Sequence, residues 1–170
     1  MRWRMSEEGM VALLKDALQL EIEGWLFYHD VTGTLPKGDV RDVFVYLTEQ
    51  EEKHQQYVKK ELDRVQSGGT LDITELAALK ETTHDEVLAD AVRSATDLSQ
   101  HEASAIHTGM LLERNSWEFY HAAAEKATQP DEVTMYRQLE EWEKLHLHLL
   151  EKAYDLLKER IWAENRFAPF

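Results

Sequence analysis

Residues 20–30 read LEIEGWLFYHD, and residues 112–122 read LERNSWEFYHA. Leu, Glu, Trp, Phe, Tyr and His coincide, with Glu21 falling 92 positions before Glu113. The same offset carries Glu51 onto Glu143, His54 onto His146, Leu47 onto Leu139 and Glu49 onto Glu141. A shared register across core and polar residues predicts two helix hairpins related by a pseudo-two-fold axis.

Working outward from that repeat, four long segments carry apolar residues at helical spacing. The first runs from about Ser6 to Val31, with Ser6 as cap and Gly33 and Pro36 as its end. Its stripe is Val11, Leu14, Leu18, Trp25 and Tyr28, broken by Glu21. The second runs over Asp39–Gln66, with stripe Val40, Val43, Leu47, Val58 and Leu62, and Ser67-Gly68-Gly69 stops it. Its breaks are Glu51 and His54. The third, about Ser99 to Thr128, carries Ile106, Met110, Trp117, Tyr120 and Ala124, broken by Glu113. The fourth, about Asp131 to Ala163, follows Pro130 and carries Tyr136, Leu139, Leu150 and Leu157, broken by Glu143 and His146. Residues 70–98 are too many for a structureless loop. Shorter helices are expected there over Ile73–Lys80 and Asp85–Leu98, the latter capped by Thr83 and Glu86. The expected fold is all-α: one domain over residues 1–170, a four-helix bundle with a long crossover between its second and third main helices.

Composition supports this reading. The chain has 170 residues, 43% hydrophobic, with 7 Gly and 3 Pro. That suffices for one core and is too poor in turn formers for an all-β chain. The net charge of −14 disfavours nucleic acid and anionic membranes as partners. Absence of cysteine excludes disulfides, thiolate nucleophiles and cysteine-ligated metal centres. Met1-Arg2-Trp3-Arg4-Met5 turns acidic at Glu7-Glu8 without an apolar signal region, and no run approaches the ~20 apolar residues of a membrane span. A cytoplasmic protein is expected.

The breaks in the apolar stripes carry the chemistry. A charged side chain on an inward face is costly unless paired or bound to metal. Positions i and i+3 share a helix face. Glu51 with His54, and Glu143 with His146, can therefore each offer an oxygen and a nitrogen to one point, with Glu21 and Glu113 arriving from the other two helices. Four carboxylates balance two divalent cations. One Glu from each of two helices plus Glu-x-x-His from each of the others is the di-iron carboxylate arrangement. The donor set suits two iron ions (Fe2+/Fe3+), with manganese or zinc as alternatives.

Two further Glu-x-x-His matches are assigned no site: Glu81…His84 reads as a polar turn, and Glu118…His121 as a solvated surface pair. Tyr28 and Tyr120 follow their glutamates by seven residues, two turns along the same face. They are candidate catalytic groups, as hydroxyls on ligand carboxylates or as redox-active phenols; the alternative is core aromatics with satisfied hydroxyls. Trp25 and Trp117 are expected in the core, and His29 and His121 outside it. His84, His101, His107 and His148 have no repeat partner that supports a site.

The two motifs L-E-x-x-x-W-x-F-Y and E-x-x-H, each present twice, resemble the rubrerythrin branch of the ferritin-like superfamily. The resemblance spans the four main helices. It implies a ferritin-like bundle, commonly dimeric or larger, with Glu21, Glu51, His54, Glu113, Glu143 and His146 as di-iron ligands. It also implies oxidation of that centre by hydrogen peroxide or dioxygen. Two departures matter. Rubrerythrins usually carry a four-cysteine rubredoxin-like domain, and this chain has no Cys, so an external electron-donor protein is required. They also tend to carry an extra glutamate one turn after the third-helix ligand, where this chain has Ser116, with repeat mate Gly24. That symmetry is closer to bacterioferritin and shifts the expectation from peroxidase toward ferroxidase. Three readings follow: a redox enzyme, an iron-storage or iron-handling protein, and a non-catalytic metal-binding bundle.

Overall fold

The computed structural model describes residues 7–76, 79 and 100–164. They form four helices: α1 (Glu7–Thr34), α2 (Asp39–Gln66), α3 (Gln100–Lys126) and α4 (Pro130–Glu164), with no strand among the described residues. The bundle expected from the four periodic segments is the bundle observed. α1 packs along α2 and α3 along α4, and the two hairpins meet more closely through α1 and α3 than through α2 and α4.

The helix ends follow local chemistry. α1 runs through Gly33, expected as its stop, and closes with Leu35 N–H on the Val31 carbonyl at 3.0 Å, just before Pro36. Gly33 ends nothing because the chain there stays in the helical basin; proline, which lacks the N–H and clashes with the preceding turn, is the effective stop. α2 ends as read: Gly68 takes φ 79°, a left-handed value that favours glycine, and Gly69 N–H reaches the Arg64 carbonyl at 3.0 Å. Pro130 is the first residue of α4, where its missing N–H costs nothing. The Glu132 carboxylate turns back to take Thr128 N–H at 3.2 Å.

Beyond α2, the helix expected over Ile73–Lys80 is replaced, within the described residues, by a turn over residues 74–76. Asp72 takes both the N–H and the hydroxyl of Thr74, while its own N–H is held by buried Glu61 at 2.7 Å. This local competition for backbone groups outweighs helix propensity. The expected helix over Asp85–Leu98, its cap and Glu81…His84 lie outside the described residues, as does Ser6.

Two apolar clusters fill the interior. One gathers Tyr28, Phe44, Leu47, Ile106 and Leu150 with their neighbours; the other gathers Leu14, Val58, Tyr120, Tyr136 and Leu139 with theirs. The repeat exchanges them: Phe44 and Leu47 become Tyr136 and Leu139, and Leu14 and Val58 become Ile106 and Leu150. Along every helix the polar breaks fall between the residues of one cluster and those of the other. A charged layer therefore lies mid-bundle, shut off from water at both ends by close-packed side chains.

Candidate metal centre

Glu21, Glu51, His54, Glu113, Glu143 and His146 are each no more than 2% exposed, the largest group of buried ionisable side chains in the described bundle. They converge as two triads related by the repeat. His54 Nδ1 lies 3.5 Å from Glu21 Oε2 and 3.4 Å from Glu143 Oε1. His146 Nδ1 lies 3.5 Å from Glu113 Oε2 and 3.1 Å from Glu51 Oε1. The imidazoles stack on each other, 5.2 Å between centroids and 13° between planes. One ligand atom from each of Glu51, His54, Glu143 and His146 falls within 4.8 Å of every other. Each triad draws on both hairpins, because each histidine faces the Glu-x-x-His glutamate of the opposite hairpin. The centre thus forms only when the hairpins dock.

Tyr28 and Tyr120 are fully buried, and their hydroxyls cross between the hairpins. Tyr28 on α1 donates to Glu113 Oε1 on α3, and Tyr120 on α3 donates to Glu21 Oε1 on α1. The helical spacing placed each tyrosine above its own helix's glutamate; the docked hairpins give it the partner helix's glutamate instead. Burial, reinforced by the adjoining carboxylates, pushes both phenols well above their ordinary value, so they stay protonated as donors.

The carboxylates divide into two kinds. Burial pushes Glu21 up, but His54 and the Tyr120 hydroxyl more than offset it, and Glu21 lies below the usual range. Burial and then the charges of Glu113 and Glu21 push Glu51 up to about 8, against the opposing pull of His146. Glu143 is also pushed up, by burial and by Glu21, Glu51 and Glu113. Without cations the layer relieves its crowding by protonating Glu51 and Glu143.

A divalent metal pair fits this donor set. Glu21 Oε2, Glu113 Oε2 and Glu143 Oε1 are buried and find no hydrogen-bond donor among the described residues. Such oxygens are costly to leave unsatisfied, and cations would satisfy them. Imidazole with carboxylate is a donor set for iron, manganese or zinc.

The family model for rubrerythrin matches residues 12–154. The chain belongs to the rubrerythrin family. Neither the comparison with curated proteins nor that with solved structures found a match. Within the rubrerythrin fold, the buried Glu/His cluster of this chain fits a di-metal site. No helix among the described residues is long and apolar enough to cross a membrane.

Several residues around the centre differ from expectation. Trp25 and Trp117 are half-buried rather than in the core. Trp25 stacks on exposed His29, 4.9 Å between centroids, and Trp117 donates its indole N–H to Glu140 at 3.2 Å. Each indole is wide enough to reach the bundle's flank, where its N–H finds a polar partner or water. Glu118 is exposed as expected, but His121 turns away from it toward Glu140 Oε1 at 3.0 Å. Glu140, which the stripes do not single out, is buried and also holds Arg137 at 2.6 Å and Lys144 at 2.7 Å. Burial pushes its carboxyl up, but Lys144, Arg137, His121 and Trp117 outweigh that and hold it at about 2. Arg137 and Lys144 at i−3 and i+4 are the sequence signal that could have marked it. Trp142 is the other unforeseen residue: its indole stacks on His54, 4.7 Å between centroids and 10° between planes.

Proposed function

We propose that this rubrerythrin-family chain holds two iron ions between Glu21, Glu51, His54, Glu113, Glu143 and His146. We propose further that it works as a redox enzyme of the peroxidase or ferroxidase type, reducing hydrogen peroxide or dioxygen. The observation that carries this reading is the buried, two-fold-related pair of His/Glu/Glu triads inside a rubrerythrin bundle. When bound, the ferrous pair supplies the two electrons that turn hydrogen peroxide and two protons into two waters.

The chain's own residues do the rest. The six ligands fix the donor geometry before any cation arrives, which limits reorganisation. The two apolar clusters keep bulk water from the charged layer. Tyr28 and Tyr120 each hold a proton against one carboxylate, Glu113 and Glu21, and so orient it toward its triad. Glu51 and Glu143, protonated in the empty layer, release their protons when cations enter. Re-reduction draws on an external electron-donor protein, since the chain has no cysteine to carry an iron–sulfur or rubredoxin-type centre. The absence of an acidic side chain at Ser116 and Gly24 favours the ferroxidase arm. The family's habit supports a homodimer or larger assembly in the cytoplasm.

Anaerobic iron titration with stopped-flow absorption tests the reading. Two ferrous ions should bind per chain and be oxidised together by one equivalent of hydrogen peroxide, or by dioxygen. A ferrous protein inert to both oxidants would leave only a structural metal site. Accumulation of many irons per chain in a cage-sized assembly would establish storage instead.

A further inference from the structure

The repeat that brings the six ligands together is broken in the residues that back them. His54 stacks on the Trp142 indole. The repeat mate of Trp142 is Gln50, a buried amide that accepts a hydrogen bond from Lys53 at 3.2 Å. An indole against an imidazole fixes the ring plane through a broad, dry contact; an amide offers a narrower surface with its own polar demands. The Trp142 side is therefore the more rigid support.

The second break is at Gly24, whose mate is Ser116, also buried. A Cβ at Gly24 would stand 3.0 Å from Glu51 Oε2 and 3.2 Å from its carboxyl carbon. Glycine here is a matter of close approach: the Glu51 carboxylate lies against the α1 backbone, with its other oxygen toward His146 at 3.1 Å. At the corresponding place in the other hairpin a side chain is present. Both breaks act in one direction. The triad of His54, Glu21 and Glu143 is braced by an indole, whereas the triad of His146, Glu113 and Glu51 depends on a carboxylate accommodated by a missing Cβ.

We propose that the two triads are unequal cation positions filled in order, the His54 triad first, with Trp142 and Gly24 as the positioning residues that set the inequality. The proposal rests on the reading of the layer as a two-cation centre. A donor set held rigidly before binding loses less freedom when it closes on a cation, so the braced triad binds more tightly. The second cation then completes a centre whose charge the first has already reduced.

Cobalt(II) titration of the full chain tests this, followed by visible absorption and by tryptophan emission. Cobalt is paramagnetic and quenches a nearby indole, and the Trp142→Phe variant identifies which part of the emission belongs to Trp142. Two steps separated by at least about tenfold in affinity are expected, with the Trp142 emission lost in the first. Gly24→Ala should weaken the second step about tenfold and leave the first in place. Its cobalt-free melting temperature should not fall, because alanine is the better helix former; a merely structural glycine would show the opposite pattern. Trp142→Gln should bring the two steps together. Two equal steps, a first step that spares Trp142 emission, or a Gly24→Ala variant that keeps the wild-type second step would each overturn the proposal while leaving the two-cation reading intact. Fewer than two cobalt ions per chain would overturn that reading and the proposal with it.

Discussion

The hairpins α1–α2 and α3–α4 are alike where they face each other and unlike where each faces itself. Across the 92-residue offset, all six ligands, both tyrosines and the leucine pair Leu47 and Leu139 recur. The flanks do not. In the second hairpin, buried Glu140 gathers Trp117, His121, Arg137 and Lys144. Its mate in the first is Thr48, whose hydroxyl simply donates to the Phe44 carbonyl at 2.7 Å. Conversely, the first hairpin has buried Glu61, tied to Asp72 N–H and facing Arg64 Nε at 3.4 Å, where the second has Ala153. The difference teaches which residues the shared centre constrains. A ligand must match its mate because both serve one symmetric cluster. A flank residue answers only to its own hairpin, and each hairpin has found its own place for a buried carboxylate.

The largest test of that likeness is in the core. Leu47→Ala and Leu139→Ala each remove a fully buried side chain from equivalent places. Each should cost about 2–5 kcal/mol by urea denaturation. Costs that differ by more than about 2 kcal/mol would break the equivalence of the two clusters.

The unlike flanks give the next test. Glu140→Gln should cost about 1.5–3 kcal/mol, since several charge-assisted hydrogen bonds end on that carboxylate. Thr48→Ala should stay within about 0.5 kcal/mol. Glu140 is held at about 2 in the folded chain, below the ~4.3 of an ordinary glutamate. Its contribution is therefore fully present above the ordinary value and is lost as pH falls from there toward 2. The stability gap between wild type and Glu140→Gln should be widest at neutral pH and should narrow through that acid window. A gap that stays constant down to pH 2 would show that the charge on Glu140 contributes nothing.

The smallest effect is on the surface. Lys59 meets Asp63 at 2.7 Å across an exposed turn of α2, while their mates Glu151 and Asp155 are like-charged. Lys59→Ala should change the urea midpoint by less than about 0.5 kcal/mol, and less still in high salt.

What could be read from the chain alone was whatever depends on a single helix. Apolar stripes at helical spacing mark the inward face, and a charge on that face must be compensated, so Glu21, Glu51, His54, Glu113, Glu143 and His146 stand out before any fold is known. The offset of 92 then ties the two sets together. What the tertiary structure decided is everything that depends on how one helix is turned against another. The tyrosines serve the opposite hairpin's glutamates, each histidine faces the opposite hairpin's Glu-x-x-His glutamate, and Trp142 covers His54. Gly24 matters only because the Glu51 carboxylate arrives against it. Periodicity fixes the face on which a side chain lies, but the crossing and rotation of packed helices are set by the fit of many side chains at once, and no single segment of sequence carries that information.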